Sequence, residues 1–222
     1  MRLIFSRAFL FFIATAFSAS AWSIDSTNKA WSSLTITGHY DTLLYLVEPQ
    51  LRLIQEPNQF NQFLTNVGLG ESLSQGWQLW FGQTFSTSGQ DVLPGSGDEY
   101  RLWQQVLFTH PLSHSTFTAR TRLEERKSFG YADWAYRLRQ HVHLRTPIKN
   151  ELSLALGNEI MINLEGAPWI TTQRWDQNRA YVGLTQKLSE TCSLSAGYMN
   201  QYIFTSPPQD DNVVVMNLLF TL

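Results

Sequence analysis

The sequence lacks several features that hold together small exported proteins or nucleic-acid-binding proteins. It contains a single cysteine, Cys192, so no disulfide can form within the chain. Charged residues make up only 15% of the chain, well below the roughly 25% of an ordinary soluble domain. The formal net charge of −2 argues against nucleic acid as a partner. Beyond the N-terminus, no apolar run reaches the length of a membrane-spanning helix.

Lysine is also scarce, and its positions differ from those of arginine. The chain has four Lys and twelve Arg. Lys127, Lys149 and Lys187 fall at predicted strand ends and Lys29 precedes the first predicted strand, whereas the arginines occupy strand middles. The planar arginine fork suits crowded hydrogen-bonded networks. This distribution favours a barrel interior over a sheet face in bulk water.

The N-terminus has the pattern of an export signal. Arg2 and Arg7 precede an apolar run from Ala8 to Phe17, and Ala19-Ser20-Ala21 supplies small residues for cleavage. These features predict a signal peptide at residues 1–21, cleaved after Ala21, and a single mature domain at residues 22–222. No cysteine closely follows the cleavage site, so no lipoprotein anchor is expected.

Side chains alternate with a period of two between Phe117 and Arg145, which is the strongest signal in the chain. Such alternation predicts β-strands, because successive side chains leave opposite faces. Two mainly apolar rows, from Phe117 to Leu123 and from Trp134 to Leu144, lie opposite two polar rows: Arg120, Arg122, Glu124 and Arg126, then Arg137, Arg139, His141, His143 and Arg145. The pair fits either a soluble sheet or a membrane barrel with lipid outside and a polar lumen.

Further strand-like segments are separated by connections that alternate between short and long, as in bacterial outer-membrane barrels. We therefore predict an all-β fold, a transmembrane antiparallel β-barrel of about 10–12 strands. Because single-chain barrels have even strand numbers, eleven segments leave ten or twelve strands, and the clean alternation after Leu34 favours twelve. The predicted strands are Leu34–Asp41, Leu44–Gln55, Phe60–Glu71, Trp77–Thr87, Glu99–Thr109, Thr116–Arg126, Trp134–Arg145, Glu151–Asn163, Arg174–Lys187, Cys192–Phe204 and Val213–Leu222.

Two motifs near the C-terminus carry a family resemblance. An N-R-x-x-x-G-L hairpin at Asn178 is followed by L-x-x-G-Y-x-x-Q-Y from Leu194 to Tyr202. Earlier landmarks are E-P-Q-L-R at Glu48, R-L-W-Q-Q at Arg101 and R-T-R-L-E-E-R at Arg120. In order and spacing the chain resembles domain-of-unknown-function family 2490. The resemblance implies an outer-membrane barrel of a bacterium with two membranes, and it implies no function.

The last segment alternates apolar residues from Val214 to Leu222. It resembles the C-terminal signal read by barrel-assembly machinery, although those signals usually end in an aromatic residue and this chain ends in Leu222. The expected partners are therefore that machinery, outer-membrane lipid and lipopolysaccharide.

The polar rows supply the candidate functional residues. Rings of arginine select for anions, so the first hypothesis is a narrow pore for small anionic solutes. The alternative is a closed structural or interaction barrel, because Arg–Glu networks can fill a lumen of this size. Nine Arg and three Glu belong to the inferred lumen-lining set: Glu48, Arg52, Arg101, Arg120, Arg122, Glu124, Arg126, Arg137, Arg139, His141, His143, Arg145, Glu159 and Arg179.

Two further classes of function have weaker signals. A membrane-embedded lipid hydrolase or acyltransferase needs a serine, a histidine base and an orienting group. Neither His110 nor His114, which lies next to Ser115, has a nearby acidic partner in sequence, so we expect no enzyme and no catalytic residue. Acidic residues assigned to the long loops could bind divalent cations or be merely solvated: Asp91, Asp98, Glu99, Asp133, Glu165, Asp176, Asp210 and Asp211. No cofactor and no metal site are expected.

Overall fold

The computed structural model describes residues 25–54, 59–89 and 98–222, which form a closed β-barrel. The predicted signal peptide with its cleavage site at Ala21, and the tip Leu93–Gly97, lie outside the described residues. The all-β barrel predicted from the sequence is confirmed. Its strands are β1 (Asp25–Tyr40), β2 (Leu43–Ile54), β3 (Gln59–Ser72), β4 (Trp77–Ser88), β5 (Glu99–Pro111), β6 (Thr116–Ser128), β7 (Trp134–Lys149), β8 (Leu152–Glu165), β9 (Trp175–Lys187), β10 (Cys192–Ile203) and β11 (Gln209–Thr221).

The described strands number eleven, within the predicted range, but the expectation of an even number is wrong. Consecutive strands pair antiparallel all the way round, and the barrel closes by a parallel pairing of β1 with β11. This pairing runs from Asp25 beside Gln209 to Thr37 beside Thr221. Closure through one parallel pair removes the sheet edge as completely as an antiparallel pair does, and it therefore permits an odd count.

The connections alternate in length as the sequence predicted. One end of the barrel has tight turns, including residues 41–42 and 150–151, and the other end carries the longer loops at 89–98, 129–133 and 166–174. The C-terminal end of β11 lies at the short-turn end. Because β1 is parallel to β11, its first residue, Asp25, lies at the opposite, long-loop end.

The first and last strands extend beyond their predicted limits. β1 begins at Asp25 instead of Leu34, and β11 begins at Gln209 instead of Val213. Lys29 therefore lies within a strand, and its Nζ donates to Oδ2 of Asp211 at 2.7 Å. Asp211, which the sequence analysis assigned to a long loop, is fully buried. This part of both strands is largely polar, so apolar and polar residues do not alternate along it. It therefore lacks the period-two pattern from which the other strands were predicted.

The outer surface of the barrel is mainly apolar. Leu69, Phe81, Phe85, Val182, Val214 and Met216 are large exposed residues that alternate with inward-facing ones. Several polar pairs, including Gln104 with Glu125, interrupt this surface, and hydrogen bonds within the sheet join their members. Thr121 donates to Gln140 at 2.6 Å and Asn158 donates to Asn178 at 3.2 Å. In the described part of the chain, no helix has the length and apolar character needed to cross a membrane.

The buried side chains lie inside the barrel, where bulky aromatics are accommodated by glycine. Trp103 is 1% exposed and lies over Gly68 and Gly82. A Cβ atom added at these glycines would approach the Trp103 ring to 2.5 Å and 2.1 Å, so only glycine leaves room for it. A second apolar cluster is formed by Trp31, Met199 and Val213. The interior is therefore packed rather than being a wide aqueous channel.

Candidate functional site

The inward-facing rows of six strands bring the candidate residues together. β6 and β7 supply nine of them, and β2, β5, β8 and β9 supply the others. Contacts between strands that are not neighbours establish that the charged row points inward: Arg120 on β6 pairs with Glu159 on β8, and Arg137 on β7 pairs with Asp176 on β9. The period of two places these side chains on one face, and closure of the sheet turns that face inward.

Glu124 is the most buried charged residue of the predicted set, at 1% exposure. Arg137 donates to its Oε2 from Nε at 2.9 Å and from Nη2 at 2.6 Å. Arg139 donates to its Oε1 at 2.6 Å, and Nη1 of Arg122 lies 3.9 Å away. A buried carboxylate is tolerated only when it is paired and hydrogen-bonded, and here three guanidinium groups surround it.

Glu159 is the second centre of the same network. Arg139 donates to both of its carboxylate oxygens, at 2.8 and 2.9 Å, which links Glu159 to Glu124 through one guanidinium group. Arg120 also donates to Glu159, and Nη1 of Arg179 lies 3.5 Å from it. The network therefore links the inner faces of four consecutive strands, from β6 to β9.

Glu99 and Asp176 belong to the interior, although the sequence analysis counted them among the acidic residues of the long loops. Glu99 accepts from Arg101 at 2.8 Å and from Arg126 at 2.5 Å. Asp176 accepts from Arg137 at 2.7 Å. The register between β8 and β9 shifts at Met161/Ile162, and Asp176 is the extra residue on β9. Such a bulge re-aims a side chain, which is why simple alternation missed Asp176.

The long-loop end of this network is covered by Trp169. This residue, in the loop between β8 and β9, is 6% exposed and donates from its indole nitrogen to the backbone oxygen of Asp133 at 3.2 Å. The Arg126 guanidinium lies 5.3 Å from its ring. Trp169 thus lies over the charged interior, a position that the sequence analysis did not predict.

Arg52 and Arg122, like Arg179, donate their hydrogen bonds to neutral amide oxygens. Arg52 donates to the amide oxygens of Gln50 at 2.8 Å and Gln62 at 2.9 Å. Arg122 donates twice to Gln105, at 2.9 and 2.7 Å. Each also stacks on a tryptophan: Arg52 lies 3.8 Å from the Trp31 ring and Arg122 lies 4.1 Å from the Trp103 ring.

A cavity of about 330 Å³ lies inside the barrel beside these arginines. One carboxylate, that of Glu48, lines it, and that carboxylate accepts from Thr35 and Asn66. Tryptophans and neutral polar residues complete much of the wall. Six arginines line the cavity: Arg52, Arg101, Arg120, Arg122, Arg139 and Arg179.

His141, His143 and Arg145 lie toward the short-turn end. The two histidine rings stack with centroids 6.0 Å apart. His143 and Arg145 line a second cavity, of about 420 Å³, together with Thr116, Thr118 and Ser153. Within the described ranges, no group of three His, Cys, Asp or Glu side chains could hold a metal ion. Ser115, next to His114, shares a hydrogen bond with Thr146 at 2.8 Å.

The interior carries an excess of positive charge among the described residues. Ten bases face inward, namely Lys29 and nine arginines, against six acids: Glu48, Glu99, Glu124, Glu159, Asp176 and Asp211. The excess is four positive charges, whereas the whole chain has a net charge of −2. The negative charge therefore lies elsewhere, largely on the loops and the barrel ends.

Comparison with known proteins agrees with this architecture. An uncharacterized protein of Methylorubrum extorquens is 24% identical over 217 residues, covering 95% of this chain and 94% of the relative. The solved structure of the NanC porin matches with a TM-score of 0.52 at 13% identity, covering 77% of this chain and 78% of that one, which shows a similar fold. The family model described as a protein of unknown function, DUF2490, matches residues 28–212. The chain therefore belongs to the DUF2490 family.

Proposed function

We propose that this protein is an outer-membrane barrel whose arginine-lined interior forms a narrow passage that prefers small anions. The observation that carries the proposal is the cavity of about 330 Å³ lined by six arginines and a single carboxylate. Rings of arginine lower the energy of an anion and raise that of a cation. One structural neighbour is a porin, and the outward apolar residues fit a lipid-facing surface.

Insertion into the outer membrane would give the protein lipid and lipopolysaccharide as partners, with assembly through the apolar alternation of β11. The proposal assigns no catalytic residue. Ser115 and the histidines of the short-turn end form no arrangement of nucleophile, base and orienting group among the described contacts.

A closed structural barrel is the alternative, and a specific observation favours it. The contacts from Arg120 through Glu159, Arg139 and Glu124 to Arg137 join β6, β7 and β8 into one connected network inside the barrel. Buried ion networks of this kind are rigid when all members are satisfied. If they block the passage at the long-loop end, the cavities remain reachable from the other end alone.

The two functions are separated by recording current through the refolded chain in a planar bilayer under a salt gradient. An anion passage gives discrete current steps and a reversal potential with the sign that indicates anion selectivity. Replacing Arg122 by Gln should move that potential toward zero, because it removes a charge from the cavity wall without breaking a short ion pair.

The control variant is Arg174→Gln, which removes the same charge from an exposed position at the end of a loop. A silent bilayer with insertion verified by heat-dependent gel migration favours the closed barrel. A cation-selective current contradicts the proposed preference outright.

A further inference from the structure

The part of the cavity around Trp31 differs from the rest of the charged interior. Arg52 from β2 and Arg179 from β9 both lie against the ring of Trp31, at 3.8 and 4.9 Å from its centroid. Both guanidinium groups therefore contact one indole ring, although their strands are separated by β1, β11 and β10 around the barrel. Trp31 is 94% buried, so this arrangement is fixed by packing.

The partners of Arg52 leave its charge without an ion pair in the described structure. Its Nε and Nη1 donate to glutamine amide oxygens. Arg179 donates from Nη2 to Gln177 at 2.9 Å, and its nearest carboxylate oxygen, on Glu159, is 3.5 Å from Nη1. By contrast, Arg137 and Arg139 each donate to carboxylates at 2.6 Å. Among the six arginines that line the cavity, Arg52 is thus the one without an ion pair in the described part of the chain.

We propose that Arg52 and Arg179 form a binding site for one small oxyanion, a carboxylate or a phosphate group, inside the cavity. Carboxylates and phosphates share the geometry that accepts two parallel bonds from a guanidinium fork, and such bonds are stronger than those to neutral amides. Chloride cannot match that geometry. A cavity of about 330 Å³ is at the lower end of ligand-binding volumes, which restricts the occupant to a small solute.

This inference rests on the proposed anion preference, but it concerns equilibrium binding and not conduction. Glu48, which also lines the cavity, is held by Thr35 and Asn66. The negative charge of Glu48 disfavours an anion on its own side of the cavity. The preferred position for an anion is therefore the side next to Trp31.

The test is calorimetric titration of the full barrel refolded in detergent, with succinate and with inorganic phosphate as probes in a chloride background. At least one probe should bind saturably. Arg52→Gln should weaken its binding roughly tenfold or more, the loss expected for a charge-assisted hydrogen bond. Arg52→Lys should also weaken it, because an ammonium group keeps the charge and lacks the fork.

Arg145→Gln is the matched control, since it removes the same charge from the other interior cavity. Binding unchanged in Arg145→Gln supports a local site. The absence of saturable binding by the folded protein overturns the proposed site. Equal weakening by Arg145→Gln and Arg52→Gln also overturns it, because a general positive potential of the lumen would then account for the effect. A preference for succinate identifies a carboxylate site and a preference for phosphate identifies a phosphate site.

The bilayer recordings keep the two proposals apart. Saturable binding without current refutes the passage and leaves the site standing. Anion-selective current without saturable binding supports the passage and refutes the binding site.

Discussion

Replacing Glu124 by Gln should destabilise the barrel more than replacing Glu48, the carboxylate that lines the cavity, by Gln. The side chain is 1% exposed and accepts three hydrogen bonds from Arg137 and Arg139, at 2.6 to 2.9 Å. Breaking one member of a buried ion pair costs about 3–5 kcal/mol, because an uncompensated charge stays buried. We expect about 3 kcal/mol, the lower end, because Arg137 retains Asp176 and Arg139 retains Glu159.

The measurement is reversible urea unfolding of the refolded barrel in lipid vesicles, followed by tryptophan fluorescence. Glu48→Gln is the matched control. Its carboxylate accepts from Thr35 and Asn66 only, so its loss should cost about 1 kcal/mol. The double variant Glu124→Gln with Arg137→Gln should cost less than the sum of the two single variants, because their charges are coupled. Equal costs for Glu124→Gln and Glu48→Gln, or strict additivity in the double variant, would refute this reasoning.

Three further predictions follow from the faces and ends of the barrel. Leu138→Arg, on the apolar outer face beside Leu123 and Ile162, should cost about 2–4 kcal/mol of folding free energy in vesicles, against about 0–1 kcal/mol for Ile148→Arg at the strand end; equal costs would mean that this surface does not face lipid. Trp169→Ala should uncover the long-loop end. A cysteine introduced at the buried Ser128, in a Cys192→Ser background, should then react faster with a charged maleimide than the same cysteine in a protein that retains Trp169. An epitope tag placed directly before Asp25 should be labelled on intact cells while a C-terminal tag is not, because the two ends lie at opposite ends of the barrel; labelling of both tags or of neither would contradict the parallel closure.

The fold could be predicted from the sequence because one physical signal dominates it. Alternation with a period of two is local, so the rows from Arg120 to Arg145 are readable residue by residue. Closure is not local. Lys29 and Asp211 are 182 positions apart, and their pairing exists only because β1 and β11 meet in parallel. Each looks like an isolated surface charge in the sequence.

The interior network was predictable in its arginines, whereas Lys29 and half of its acids were missed. The arginines lie in regular strand positions, whereas Asp176 reaches Arg137 through a β-bulge and Glu99 is the first residue of its strand. A bulge changes which face a residue occupies, and no alternation pattern marks it beforehand. The sequence therefore overstated the positive charge of the interior, with three acids expected where the structure has six.

The corrected balance still constrains what the barrel can do. An excess of four positive charges remains among the described interior residues, and an isolated buried charge is far more costly than a paired one. Small counter-anions are the simplest compensation, so the cavity near Arg52 must be reachable by them from at least one end. Both proposed functions share this requirement. They differ in whether an anion that enters at the short-turn end can pass the network around Glu124 and leave beneath Trp169.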